Sequence, residues 1–98
     1  MQIRTDSQRT VKVENPLGLH LRVAQEIVLA AQKFHSTLTI QSGSVLADAK
    51  SILSVLLLGA VQGATLDLHA TGVDAEAALA EIAHLIETPS QTVRKRGA

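Results

Sequence analysis

The sequence predicts an α+β domain in which one antiparallel sheet has helices covering one of its faces, in the order β-α-β-β-α-β-α. Two patterns carry this reading. Apolar and polar side chains alternate with period two in short stretches bounded by Gly, Pro, Ser or Asn, and three other stretches place apolar residues at helical spacing. Size is the third observation: 98 residues, 46% of them apolar, supply one core and leave no room for a second.

Residues 1–9 show no periodicity and are expected to form a flexible leader, so the domain is placed at 10–88. The first strand is expected at 10–14, with Val11 and Val13 on one face and Lys12 and Glu14 on the other. Asn15-Pro16-Leu17-Gly18 interrupts it. A helix is expected over 21–33, its buried stripe being Ala24, Ile27, Val28, Ala31 and Phe34, with Leu29 off the stripe and Leu21 and Val23 flanking it. Alternation returns at 37–41, where Leu38 and Ile40 face inward. Ser42-Gly43-Ser44 then turns the chain into a short strand at 45–47.

Ser51 is placed to cap a second helix over 52–58, which Gly59 closes. That helix is apolar nearly all round, yet so short a helix on a small domain buries only one side. Several of its leucines are therefore expected to stay exposed or to meet a partner. The strand at 64–71 points Leu66, Leu68 and Ala70 inward. Asp74 is then expected to cap a last helix over 75–87 with the stripe Ala78, Leu79, Ile82, Leu85 and Ile86. Residues 89–98 read as a flexible basic tail.

Composition excludes several classes of function. Phe34 is the single aromatic residue, so a base-stacking platform for single-stranded nucleic acid is absent. Lysine plus arginine and aspartate plus glutamate number nine each, which leaves no global basic field for nucleic acid or an anionic membrane. Cysteine is missing, and with it disulfides, thiolate metal sites and thiol nucleophiles. No apolar run approaches the roughly 20 residues of a membrane helix, and residues 1–10 lack the apolar core of a signal peptide. The expectation is a cytoplasmic monomer with no cofactor, no metal, no nucleic-acid partner and no membrane insertion.

Of the four histidines, His35, His69 and His84 have no carboxylate or second histidine at metal-ligand spacing and read as solvated surface residues. His20 stands apart because it follows Gly18 and opens a helix. The first turn of a helix has unpaired N–H groups and a partial positive charge, and so binds anions. Arg22 adds a planar array of donors suited to phosphate oxygens. One histidine and one arginine at this spacing do not by themselves choose between such a site and an ordinary loop histidine. Ser51 likewise reads either as a plain helix cap or as a regulatory phosphorylation site.

Gly18-Leu19-His20-Leu21-Arg22-Val23-Ala24, followed by Asp48-Ala49-Lys50-Ser51-Ile52 and Leu58-Gly59, resembles the HPr family, the histidine-containing phosphocarriers of the bacterial phosphoenolpyruvate-dependent phosphotransferase system. The resemblance runs over residues 10–87. It implies an open-faced β-sandwich, a four-stranded antiparallel sheet with three helices on one face. It also implies that His20 accepts a phosphoryl group on Nδ1 from a phosphorylated Enzyme I-type protein and passes it to an EIIA-type acceptor. Arg22 matches the arginine that supports the phosphate, and Ser51 the serine that a dedicated HPr kinase modifies in some bacteria. Leu21, Val23, Ala24, Ile52, Leu53 and Leu56 match the apolar patch that docks partners.

Two positions depart from the family pattern. Leu21 stands where a small residue is usual, and Val23 where proline is common; both bear on partner choice. The rival reading is an HPr-like regulatory module acting through protein contacts alone, with Ser51 phosphorylation as its control. A stand-alone hydrolytic enzyme is a poor reading, since no carboxylate or hydroxyl can be assigned beside a histidine and the domain is too small for a deep pocket.

Overall fold

The computed structural model describes residues 5–89. The chain runs β1 (Thr5–Lys12), α1 (Leu21–Ala31), β2 (Thr37–Ser42), β3 (Val45–Asp48), α2 (Ile52–Leu57), β4 (Thr65–Gly72) and α3 (Ala75–Glu87). The four strands form one antiparallel sheet in the order β1-β4-β2-β3, with three helices packed on it. The expected α+β architecture is the observed one.

Pairing follows the period-two pattern. Val11 lies opposite Leu66, Leu68 opposite Ile40, and Ile40 opposite Ala47. All are buried beneath the helices, where each large aliphatic side chain contributes about 1.5–3 kcal/mol. The opposite face carries Gln8, Thr10, Thr39, Asp67 and His69, none of them buried. α1 adds Val23, Ala24, Ile27, Val28, Ala30 and Ala31 to the core, and α3 adds Ala75, Ala78, Leu79, Ile82, Ala83 and Ile86. Leu85, expected in the α3 stripe, and Phe34 are only partly buried against this core. Among the described residues no helix is long and apolar enough to cross a membrane.

Four details differ from expectation. β1 starts at Thr5, so residues 5–9, expected in the leader, pair with Leu68 to Gly72 of β4. Their inward positions are Thr5, Ser7 and Arg9, which is why no apolar alternation marks them; Ser7 and Arg9 lie at the rim, next to Glu76 and Leu79 of α3. Residues 1–4 of the leader and 90–98 of the tail lie outside the described residues. α1 ends at Ala31, two residues early, because the N–H groups of Lys33 and Phe34 bond to carbonyls three residues back and tighten the last turn.

Val23, expected to flank the stripe, is 3% exposed and belongs to the core.

Asp74 is the fourth difference. It occupies the N-cap position of α3 without any side-chain cap bond. Its carboxylate instead crosses to the connection before β2, where it accepts the backbone N–H groups of His35 and Ser36 at 2.9 and 3.0 Å and the Ser36 hydroxyl at 2.5 Å. Gly72 makes the crossing possible, since a Cβ there would overlap Ser36. These donors, the Ser36 hydroxyl foremost, draw the Asp74 carboxyl down from 3.8 to about 2.

A carboxyl whose folded pKa is lowered stabilises the fold above its unfolded pKa, and that contribution is lost as pH falls through the folded value. Urea denaturation should therefore show wild type more stable than Asp74→Asn at neutral pH. The gap is expected to close between pH 4 and pH 2; a gap that stayed constant over this range would contradict the assignment.

Candidate functional site

The corner at His20 is built from backbone bonds that tie residues 13–19 to two distant segments. Val13 donates to Ala64 and accepts from Gly63, both at 2.9 Å, and Glu14 donates to the Ile86 carbonyl at the end of α3, at 3.3 Å. Asn15 then makes a turn: its Oδ1 accepts the Leu17 N–H at 3.0 Å, and its carbonyl accepts the Gly18 N–H at 2.9 Å. Gly18 has φ +70°, and a Cβ there would run into the Ala60 carbonyl. That close approach lets Leu19, itself buried, donate to Ala60 at 3.0 Å.

His20 follows as the N-cap residue of α1, in extended backbone at φ −76° and ψ 178°. Its carbonyl accepts the Ala24 N–H at 2.9 Å, which starts the helix. The imidazole makes no cap bond and is half-exposed. The N–H groups of Leu21, Arg22 and Val23 have no acceptor in the helix, and the first turn holds no acidic side chain to occupy them. Arg22 is exposed and makes no ion pair among the described residues. An imidazole, a free guanidinium and unpaired helix N–H groups therefore share one corner that faces solvent, an arrangement suited to an anionic group.

Ser51 caps α2, its Oγ accepting the Ser54 N–H at 3.3 Å, and is half-buried. The preceding turn is fixed by Asp48, which accepts the Lys50 and Ser51 N–H groups, and by the Lys50 ammonium on the Phe34 carbonyl at 2.9 Å. α2 packs against α1, but it is the C-terminal end of α2, through Ala60, that adjoins His20. Ser51 sits at the other end of α2, about 9 Å along the helix axis.

Of the residues expected to form an apolar docking patch, Leu21 is 54% exposed, Ile52 and Leu53 are exposed, and Leu56 is half-exposed. Val23 and Ala24 are buried and cannot touch a partner. They occupy the inner side of α1's first turn, so Leu21 and Arg22 are left on the outer side. Three other exposed apolar residues adjoin the same corner: Leu17, Leu57 and Val61, at 75%, 70% and 67%. Sequence analysis counted Leu57 among the surplus leucines of the second helix without assigning it to the patch, and it overlooked Leu17 and Val61. Leu57 was visible as surplus apolar surface on a short helix, whereas Leu17 and Val61 lie in turns without periodicity.

Asn15 was overlooked too, although Asn-x-x-Gly is the signal for its turn. Its Nδ2 is buried without a partner. The other histidines stay apart: His35 and His84 are exposed, and His69 lies on the open sheet face opposite Gln8 and Thr39. Among the described residues no three His, Cys, Asp or Glu side chains converge as a metal site.

Comparison with known proteins identifies the family. Residues 7–88 match the family model described as the PTS HPr component phosphorylation site. The phosphocarrier protein NPr of Shewanella violacea is 39% identical over 83 residues, covering 85% of this chain and 91% of the relative. HPr of Buchnera aphidicola subsp. Baizongia pistaciae is 37% identical over 81 residues, covering 83% and 95%. Among solved structures, HPr from Bacillus anthracis superposes with a TM-score of 0.80 at 30% identity, covering 84% of this chain and 98% of that one. HPr from Thermoanaerobacter tengcongensis gives 0.79 at 36% identity, covering 83% and 91%. With the fold and the family match in agreement, the chain belongs to the HPr family, phosphocarriers of the phosphotransferase system that relay a phosphoryl group and are not stand-alone enzymes.

Proposed function

We propose that His20 is the residue that carries the phosphoryl group, taken from an Enzyme I-type donor and delivered to an EIIA-type acceptor in the cytoplasm. The supporting observation is the N-cap position of His20, whose ring is free of the chain beside three unpaired N–H groups. In the transfer, the lone pair of Nδ1 attacks phosphorus in line with the bond to the donor. The new N–P bond forms as the old one breaks, and that bonding pair returns to the donor side chain. Arg22 and the helix N–H groups hold the oxygens as charge shifts, which is stabilisation by preorganised donors. The reverse sequence passes the group to the acceptor.

Partner docking is assigned to Leu21, Ile52 and Leu53, with Leu17, Leu57 and Val61 extending the patch and Leu56 at its edge. Ser51 is assigned a regulatory role by position: a phosphate there would add about two negative charges within the docking area. Because the length of α2 separates it from His20, that phosphate would act on encounter with an acidic partner and not on the ring.

With phosphoenolpyruvate and Enzyme I, wild type should gain one acid-labile phosphoryl group by intact mass and His20→Ala none; labelling of His20→Ala would refute the assignment. Arg22→Ala should slow acceptance roughly thirtyfold, the loss of a charge-assisted contact of about 2 kcal/mol. Leu53→Lys is expected to raise KM for Enzyme I about tenfold with kcat little changed, as removal of an apolar anchor would. Ser51→Asp, which keeps the cap, should raise the same KM severalfold without lowering the melting temperature. An unchanged KM would remove Ser51 from the docking area.

A further inference from the structure

The strand order β1-β4-β2-β3 leaves the sheet two edges, and among the described residues β3 pairs with β2 alone. A backbone bond just past β3 shows which way its polar groups point. Ala49 donates to the Leu38 carbonyl at 2.9 Å, so Val45, Ala47 and Ala49, two residues apart, aim their N–H and C=O groups at β2. Those of Leu46 and Asp48 point out of the sheet. The Asp48 carbonyl is taken by the Ser51 N–H at 3.0 Å, whereas both backbone groups of Leu46 face the open edge.

The two edges differ in their side chains. β1 carries Asp6, Arg9 and Lys12, and charges along an edge oppose pairing with another chain. β3 carries Asp48 alone, at its end, and has no lysine, proline or bulge. Leu46 is 64% exposed on the open sheet face, opposite Gln41, and Val45 is 46% exposed beside the turn. Residues 44–48, Ser-Val-Leu-Ala-Asp, read polar, apolar, apolar, apolar, polar about Leu46. An antiparallel copy centred on Leu46 therefore sets leucine beside leucine, Val45 opposite Ala47 and Ser44 opposite Asp48. Apolar meets apolar, and no like charges face each other.

We propose that β3 pairs edge to edge with β3 of a second copy of this chain, about a two-fold axis at Leu46, joining two sheets into one. At the axis the two Leu46 residues exchange both N–H···O=C bonds, and their side chains cover each other on the open face. A strand of four residues buries less than the roughly 1,200 Å² of a standard interface, so the pair is weak and forms at high protein concentration. Leu46 lies on the face of the sheet away from the helices and is no part of the docking patch assigned above. The proposal is thus independent of the role of His20.

The test follows the full chain from tens of micromolar to low millimolar concentration by sedimentation and amide NMR. The apparent mass of wild type should rise toward twice the monomer value. Over the same range the amide signals of Leu46 and Asp48, which point outward, should move more than those of Val45 and Ala47, which are bonded to β2. Leu46→Lys sets two ammonium groups against each other at the axis and should stay monomeric at every concentration. Because the site is exposed, its melting temperature should match that of wild type. A wild-type chain that stays monomeric throughout leaves the edge to an extended segment of a different protein and overturns the proposal. A dimer that Leu46→Lys leaves intact overturns it too, as do concentration-dependent shifts confined to β1 or to the surface around Leu53.

Discussion

The bond from the Leu19 N–H to the Ala60 carbonyl, made possible by a glycine at Gly18, is the constraint on which the site depends. A side chain at Gly18 would collide with that carbonyl and push the loop away from the turn after α2. With the bond in place, Leu19 is drawn into the core and His20 must stand where α1 begins. The ring then has no competing partner, and the first helical N–H groups face solvent unpaired. A loop that is otherwise exposed is made rigid by backbone bonds to residues far away in the chain, which is what preorganisation requires of a group that holds transient charge. No bulky side chain does this work at Gly18; its absence does.

The same economy shapes α2. Six residues make too short a helix to be stable alone, so it is held at both ends: Ser51 caps its start, and the chain after it bonds to Leu19. Val55 anchors it inside while Leu53 and Leu57, one turn apart, remain on the outer face. Exposed aliphatic surface costs solubility and is kept down on most small domains. Here part of it lies at the corner where Arg22, which makes no ion pair among the described residues, and the unpaired N–H groups of α1 also face outward. Apolar contact for docking and positive potential for the phosphoryl group are thus provided by neighbouring, separate sets of atoms.

Much of the fold was legible because strand and helix periods are local. The inward residues of β2 and β4, the bounds of α3 and the cap at Ser51 all followed from spacing. β1 before Thr10 was not legible, because pairing with β4 and not its own burial places Thr5, Ser7 and Arg9 in the sheet. Asp74 was misassigned for a related reason. Its position favours a cap, but three donors on a connection nearly forty residues earlier hold its carboxylate more strongly. Comparable long-range donors decide which turn residues flank His20.

By itself the sequence determined the element order, the faces that enter the core and the histidine that opens a helix, since each depends on side-chain types at short spacing. It also carried the motif that marks the family. Tertiary structure alone decided that Val23 joins Ala24 on the inner side while Leu21 and Arg22 turn outward. It decided as well that Leu17, Leu57 and Val61 join the same surface, and that the end of α3 comes to rest against the loop of His20. Those outcomes depend on backbone bonds such as Leu19 to Ala60 and Glu14 to Ile86, which join distant segments through groups that every residue but proline possesses. Such bonds leave no mark in side-chain pattern, and so they become visible only in the folded chain.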